Sequence, residues 1–439
     1  MIKDIVLACM LIACVLWALK DPWIGILGWT LVSLMSPHEN WGTATATWPM
    51  GTALAIGTLL GFVATKDKSN PMVGAGPWCV LLFTVWITIT LPSSIYFDPS
   101  YPLWLRSIKI FFMLFITLSL INTRKKLNIF VWVNVIALAF YGVKGGVFTI
   151  MTGGNHRVWG PGGFIEGNNE VALAVICVIP LMRYLQTQMS NLRAKTAMTS
   201  AMALCVIMAM GSYSRGALLG VAAMGLFFWL KGDRKLLWGV LIIAMGAVAL
   251  SLMPEQWWAR MNTIESYQGD ESAQGRINAW WMAFNLAKDR VFGGGFMIWT
   301  GPVFQIYAPV PDDPHAAHSI YFQVLGEHGF IGLFIFLSIG VATWLSARWL
   351  IKVGRANRQF AFAAELGPMV QVSMIGYAVT GAFLSLAYYD LPYNVMVMAV
   401  VAQRIVRQEQ AAAASERYGM AKADSGQPYH QQVSPGNPP

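Results

Sequence analysis

Hydrophobic residues in this chain come in long blocks separated by short polar stretches, with no run of period-two alternation. Blocks lie near 50–65, 77–92, 104–121, 127–151, 171–189, 195–213, 216–230, 236–253, 329–350, 366–388 and 391–406, and a further apolar region covers 4–36. Most approach the ~20 residues that a helix needs to cross ~30 Å of hydrocarbon. Backbone amides in lipid must be satisfied within their own segment, so the blocks are predicted to be helices. A transmembrane barrel is excluded because its strands alternate in hydrophobicity. The predicted fold is an all-α polytopic membrane protein.

Cationic residues order these helices. Lys66/Lys68, Arg124-Lys125-Lys126, Arg193/Lys195, Lys231/Arg234/Lys235, Arg348/Lys352/Arg355/Arg358 and Arg404/Arg407 fall at alternate loops. Short loops rich in Lys and Arg stay in the cytoplasm, which places the C-terminus there too. The other face, periplasmic in a bacterium, receives 93–103, 152–170, the turn at Arg215, the long loop 254–318 and the turn at 388–390. Two full spans in 4–36 would break this parity. A broken or hairpin-like first element restores it, giving about twelve spans with both ends inside. The large periplasmic loop then separates the ninth and tenth apolar segments. Residues 1–407 form the membrane domain, and 408–439, polar and rich in Pro and Gly towards the end, read as a disordered cytoplasmic tail.

Composition agrees with the pattern: 439 residues, 56% hydrophobic and 12% charged, with a mean hydropathy of +0.53. The net charge of +9 is spread over cytoplasmic loop ends, so it reports topology and not nucleic-acid binding. All five cysteines, Cys9, Cys14, Cys79, Cys177 and Cys205, fall in apolar blocks without pairing or metal spacing. They read as packing residues.

Chemistry is expected where ionisable groups gather beyond the needs of topology. His318-Ser319 is followed by nine residues and then Gly329-Phe330-Ile331-Gly332, at the head of an apolar block. An imidazole with an ordinary pKa near ~6.5 can take a proton at ambient pH. Arg215, in Ser214-Arg215-Gly216, stands at the periplasmic end of a helix. Its planar guanidinium matches phosphate oxygens in a bidentate way, so a lipid diphosphate suits it. Arg276 precedes Ile277, Trp280, Trp281 and Phe284, whose spacing makes an amphipathic helix with tryptophans at the membrane interface. Loop 152–170 is rich in Gly and amides and offers Arg157, Asn168 and Asn169 for sugar or phosphate contacts, with a plain turn-rich connector as the rival reading. Lys144, inside the preceding block, is either partnered or snorkelling. A metal site built from His315, His318, His328 and Asp312-Asp313 is disfavoured by their spacing. A Ser214/His318 dyad lacks the nucleophile-elbow sequence.

His318-Ser319-x9-Gly329-x-x-Gly332, Ser214-Arg215-Gly216 and the large penultimate periplasmic loop together resemble the bacterial O-antigen ligase and polymerase superfamily. Gly160-Pro161-Gly162-Gly163 through Asn168-Asn169, with Lys144-Gly145-Gly146 upstream, is more similar to a branch of O-glycosylation ligases associated with exosortase systems. The resemblance covers about 40–407. It implies a GT-C-like glycosyltransferase architecture in the inner membrane. It also implies metal-independent, inverting transfer of a glycan from undecaprenyl diphosphate to an acceptor hydroxyl, a lipid A-core sugar in the lipopolysaccharide ligases. On that likeness His318 is the essential histidine, Arg215 and Arg276 bind the diphosphate, and no cofactor is needed. Gly167 stands where an acidic residue is expected before Asn168-Asn169, so no family role passes to that position. Polymerase and protein O-oligosaccharyltransferase activities of the same superfamily remain open from sequence, as does a glycan flippase, although the one-sided gathering of charge favours an enzyme.

Overall fold

The structure, a computed structural model, describes residues 2–231, 253–262 and 271–424, together with the isolated positions Gly239, Gly246 and Ser251. Among them the chain is helical. In order the helices are α1 (Ile2–Lys20), α2 (Pro22–Met35), α3 (Pro37–Trp41), α4 (Met50–Ala64), α5 (Ala75–Thr90), α6 (Phe97–Leu120), α7 (Arg124–Met151) and α8 (Asn168–Thr187). They continue as α9 (Leu192–Gly211), α10 (Arg215–Lys231), α11 (Glu255–Asn262), α12 (Glu271–Asp289), α13 (Gly301–Tyr307), α14 (Ile320–Ala356), α15 (Ala361–Gly381) and α16 (Asp390–Asp424). Seven of these are long and apolar enough to cross a membrane, and three shorter helices are also apolar. The expected block at 236–253 lies almost wholly outside the described residues.

The apolar region 4–36 is a helical hairpin. α1 and α2 turn at Asp21-Pro22, and Gly28 comes back against Cys14. Both pack on α4, where Gly57 and Gly61 bring the backbone up to Val15 and Ala18. Small residues at such crossings let helices touch where lipid offers no hydrophobic drive to associate. α8 is the most enclosed helix, surrounded by α7, α9, α10 and α15.

Three expectations on element bounds need correction. The block expected to begin at 329 begins nine residues earlier, because 320–328 forms a helix of its own that runs into α14 across a break at Gly329 (φ 70°, ψ −175°). A side-chain carbon there would lie 2.2 Å from the Val291 carbonyl oxygen. Breaking the ladder frees three carbonyls, and each is recaptured. Gly294 N–H donates to Gly326 O (2.9 Å), Gly295 N–H to Glu327 O (3.0 Å) and Trp86 Nε1 to His328 O (2.9 Å). The Gly-x-x-Gly motif therefore shapes a kink. Arg276, expected to open its helix, lies in the second turn of α12, since polar 271–275 is helical as well. Finally, α16 continues through 408–424, built from Ala, Gln, Glu and Arg, all strong helix formers. That part of the expected disordered tail is helical.

Arg404 has a structural job that a charge count misses. Its side chain is 2% exposed and donates to the carbonyls of Asn70 (2.9 Å), Leu118 (2.6 Å) and Ile121 (2.6 Å), closing the C-terminal end of α6. Arg404→Met would strand those acceptors. We expect it to destabilise the folded protein by about 2–4 kcal/mol, read as a lower unfolding midpoint in detergent with turnover per folded molecule unchanged.

Candidate active site

Four chain segments meet at one end of the bundle and enclose a small polar pocket. The turn between α9 and α10 supplies Tyr213, Ser214, Arg215 and Gly216. The start of α12 supplies Ala273 and Arg276, the start of α8 supplies Asn169, and the loop after α15 supplies Phe383 and Leu384. Asn169, Arg215 and Arg276, up to 107 positions apart in sequence, thus line one cavity.

Local hydrogen bonds fix the turn that carries Arg215. Ser214 caps α10, its Oγ accepting from Ala217 N–H at 3.2 Å. A hydroxyl serving as N-cap is poorly placed to be a nucleophile. The cap opens α10 at Arg215, so the positive end of that helix and a guanidinium face the same cavity. Tyr213 reaches the turn with φ 59° and anchors it by donating its phenolic O–H to Gly154 O at 2.6 Å. Asn168 Nδ2 donates to Ser212 O at 2.6 Å, and Val158 N–H donates to Gly211 O at 3.0 Å. Loop 152–170 is thereby stitched to the Arg215 turn.

The expected site residues divide accordingly. Asn169 lines the pocket, whereas Asn168 spends its amide on the turn. Arg157 lies over the Tyr213 ring, 5.5 Å from its centroid, at the rim of the cavity. Lys144 is exposed on α7 and is not among the lining residues.

His318 follows on the loop leading into α14. It is half-buried, with φ 42°, and its imidazole pKa is lowered first by burial, then by the charge of Arg276, then by His315. The pull from Arg276 places the two side chains in the same electrostatic neighbourhood. Trp280, one turn after Arg276, fixes the approach by donating Nε1–H to Ala317 O at 2.7 Å. The same ring stacks on Phe322 at 4.9 Å. So the tryptophan expected at the membrane interface also joins the arginine helix to the histidine loop. His315 packs on Gly275 and pairs with Asp313 at 3.0 Å.

His328 belongs elsewhere. It is fully buried beside the kink, hydrogen-bonded to Thr90 (2.8 Å) and ringed by Phe83, Phe296 and Tyr388. The helical stretch 320–328, roughly 13 Å long, separates it from His318, too far to share one ion. Among the described residues no three His, Cys, Asp or Glu side chains cluster as a metal site.

Sequence reasoning missed Glu170, whose charge acts on the same Arg276, and the pocket wall formed by Phe383 and Leu384. Glu170 was visible as an acid in a helix's first turn. Nothing local marks Phe383, which reaches the pocket only because Gly216 packs against its ring.

A lowered imidazole pKa has a readable consequence. Neutral His318 persists as pH falls past 6.5, so the acid limb of kcat/KM should lie below that value. Arg276→Gln removes a cation that opposes protonation, so in its residual activity the acid limb should move up. A limb that stays put in the variant would separate His318 from Arg276.

The protein is thus a polytopic helical membrane protein with a basic pocket and a histidine at one end of its bundle. Residues 200–337, which hold Arg215, Arg276 and His318, match the family model described as O-antigen ligase, and this match supports the resemblance to the O-antigen ligase superfamily. Residues 2–190, which hold the Gly-rich loop and Asn169, match a family of unknown function (DUF5935). No curated protein matches the chain.

Proposed function

We propose that this protein is an O-antigen ligase that moves a glycan from undecaprenyl diphosphate to an acceptor hydroxyl, such as a lipid A-core sugar, on the periplasmic face of the inner membrane. The observation that carries the reading is the meeting of Arg215 and Arg276 in one pocket, with His318 within electrostatic reach of Arg276. The sugar–diphosphate bond is already activated. Transfer needs a base for the acceptor hydroxyl and compensation for charge growing on the leaving diphosphate. In this reading His318, its pKa lowered by burial and by Arg276, takes the hydroxyl proton. The acceptor oxygen attacks the anomeric carbon with inversion as the bond to the diphosphate breaks. Arg215, the amino end of α10 and Arg276 hold the departing diphosphate, with no metal required. The alternating basic loops put the opposite ends of these helices in the cytoplasm.

Deletion of the gene with analysis of cell-envelope glycans tests the assignment. Loss of glycan-capped lipopolysaccharide with long lipid-linked chains retained is the expected result. A collapse to single repeat units would make the protein a polymerase. Unchanged glycan on lipopolysaccharide with glycan lost from protein would make it a protein O-oligosaccharyltransferase.

A further inference from the structure

α6 is a 24-residue helix with two cations, Arg106 and Lys109, at the periplasmic head of the apolar block that begins at 104. Spaced by three, they share a face. Both side chains are exposed on the surface of the bundle. Among the described residues neither forms an ion pair or a hydrogen bond. The nearest charges acting on Arg106 are the carboxylates of Asp390 and Glu39. Cations exposed to lipid on an apolar helix are costly unless they reach the interface or something pairs with them. A flexible lysine can escape by snorkelling. Arg106 has less freedom, because the Phe164 ring lies 3.6 Å from its guanidinium carbon.

The placement of Phe164 is built in. It sits in the Gly-rich loop just after Gly162 (φ 133°) and Gly163 (φ 62°). Side-chain carbons at those glycines would come within 2.6 Å of Glu39 and 2.9 Å of Ser36. The loop is therefore pressed against the end of the first hairpin, and that contact delivers Phe164 to Arg106. Five residues later the same loop places Asn169 in the Arg215/Arg276 pocket, at most ~18 Å along the chain. A second connection runs alongside. Phe164 touches Tyr389, whose loop also carries the pocket residues Phe383 and Leu384.

We propose that Arg106 and Lys109 form a lateral docking station for the phosphates of a polyprenyl diphosphate, through which the lipid-linked donor reaches the Arg215/Arg276 pocket from the bilayer. This rests on the ligase reading above. The chemistry recognised is a phosphate carried on a lipid. The loop joining the pair to the Arg215/Arg276 pocket favours the polyprenyl diphosphate over a phospholipid headgroup.

The test is equilibrium binding of radiolabelled undecaprenyl diphosphate to the full-length protein in phosphatidylcholine nanodiscs. The double variant Arg106→Gln/Lys109→Gln should bind at least about tenfold more weakly than wild type, at an unchanged unfolding midpoint. If Arg106→Gln disturbs folding, Lys109→Gln alone, which breaks no hydrogen bond or ion pair among the described residues, should still weaken binding several-fold. Unlabelled cardiolipin at equal concentration should fail to displace the probe. Wild-type affinity in folded variants overturns the proposal, and so does displacement by cardiolipin, which would make the pair a headgroup site. Arg215→Gln/Arg276→Gln is the reference. If that pair loses binding while Arg106→Gln/Lys109→Gln retains it, the docking station is wrong and the ligase reading stands. If neither pair affects binding, the ligase reading fails as well.

Discussion

Replacing His318 by asparagine is expected to abolish glycan transfer while the bundle stays folded. His318 has a left-handed backbone (φ 42°), a conformation that asparagine tolerates better than alanine does. The substitution removes the base without adding strain, and a positioned general base contributes ~10²–10⁴-fold. The loss should appear in kcat in a reconstituted assay with lipid-linked glycan and acceptor. Donor affinity and unfolding midpoint should remain near wild type. His315→Asn should be mild, since His315 lies partly exposed beside Asp313. His328→Asn should instead lower stability, because it cuts into a fully buried aromatic shell. Full activity in folded His318→Asn protein would refute the base assignment.

The second large effect concerns the two arginines. If Arg215 and Arg276 hold one leaving diphosphate, they act on charge that grows as the glycosidic bond breaks. Either substitution to glutamine should then lower kcat, by about 10²–10³-fold, more than it weakens ground-state binding. Lysine at either position keeps the charge but loses the planar fork, so rescue should be poor. Two groups gripping one ligand act as a unit, and the double variant should lose less than the product of the single losses. Strict multiplicativity would mean that the arginines serve different ligands. EDTA should leave the wild-type rate unchanged. A divalent-ion requirement would transfer the charge-neutralising role to a metal and refute the two-arginine clamp.

Hydrophobic blocks alone determined that this chain is a bundle of membrane helices, because lipid leaves backbone amides no other partner and the blocks have the length of spans. Arg215 and His318 were legible as well, for a related reason. Polar residues are scarce at the ends of apolar helices, and a charge retained there stands out without knowledge of its neighbours. Arg276 was marked by the aromatic periodicity that follows it, although its place inside the helix was not.

Tertiary structure decided what those residues do to one another. Arg215 and Arg276 share a pocket in which Asn168 and Tyr213 bind the Gly-rich loop to the Arg215 turn and Trp280 ties the arginine helix to the His318 loop. These contacts join residues 37 to 59 positions apart, and no local periodicity encodes them. The Gly-x-x-Gly motif shows the same divide. Its spacing flagged a special place, but the reason is a helix break whose freed carbonyls are taken up by Gly294, Gly295 and Trp86. Arg404 read as a topological charge until three carbonyls were found around it. Arg106 and Lys109 passed unnoticed within an apolar block, since only the packed bundle reveals that they face outward beside the loop leading to the pocket. Hydropathy is a property of a segment and survives in the one-dimensional sequence, whereas partnership between polar groups is a property of distances that exist only after folding.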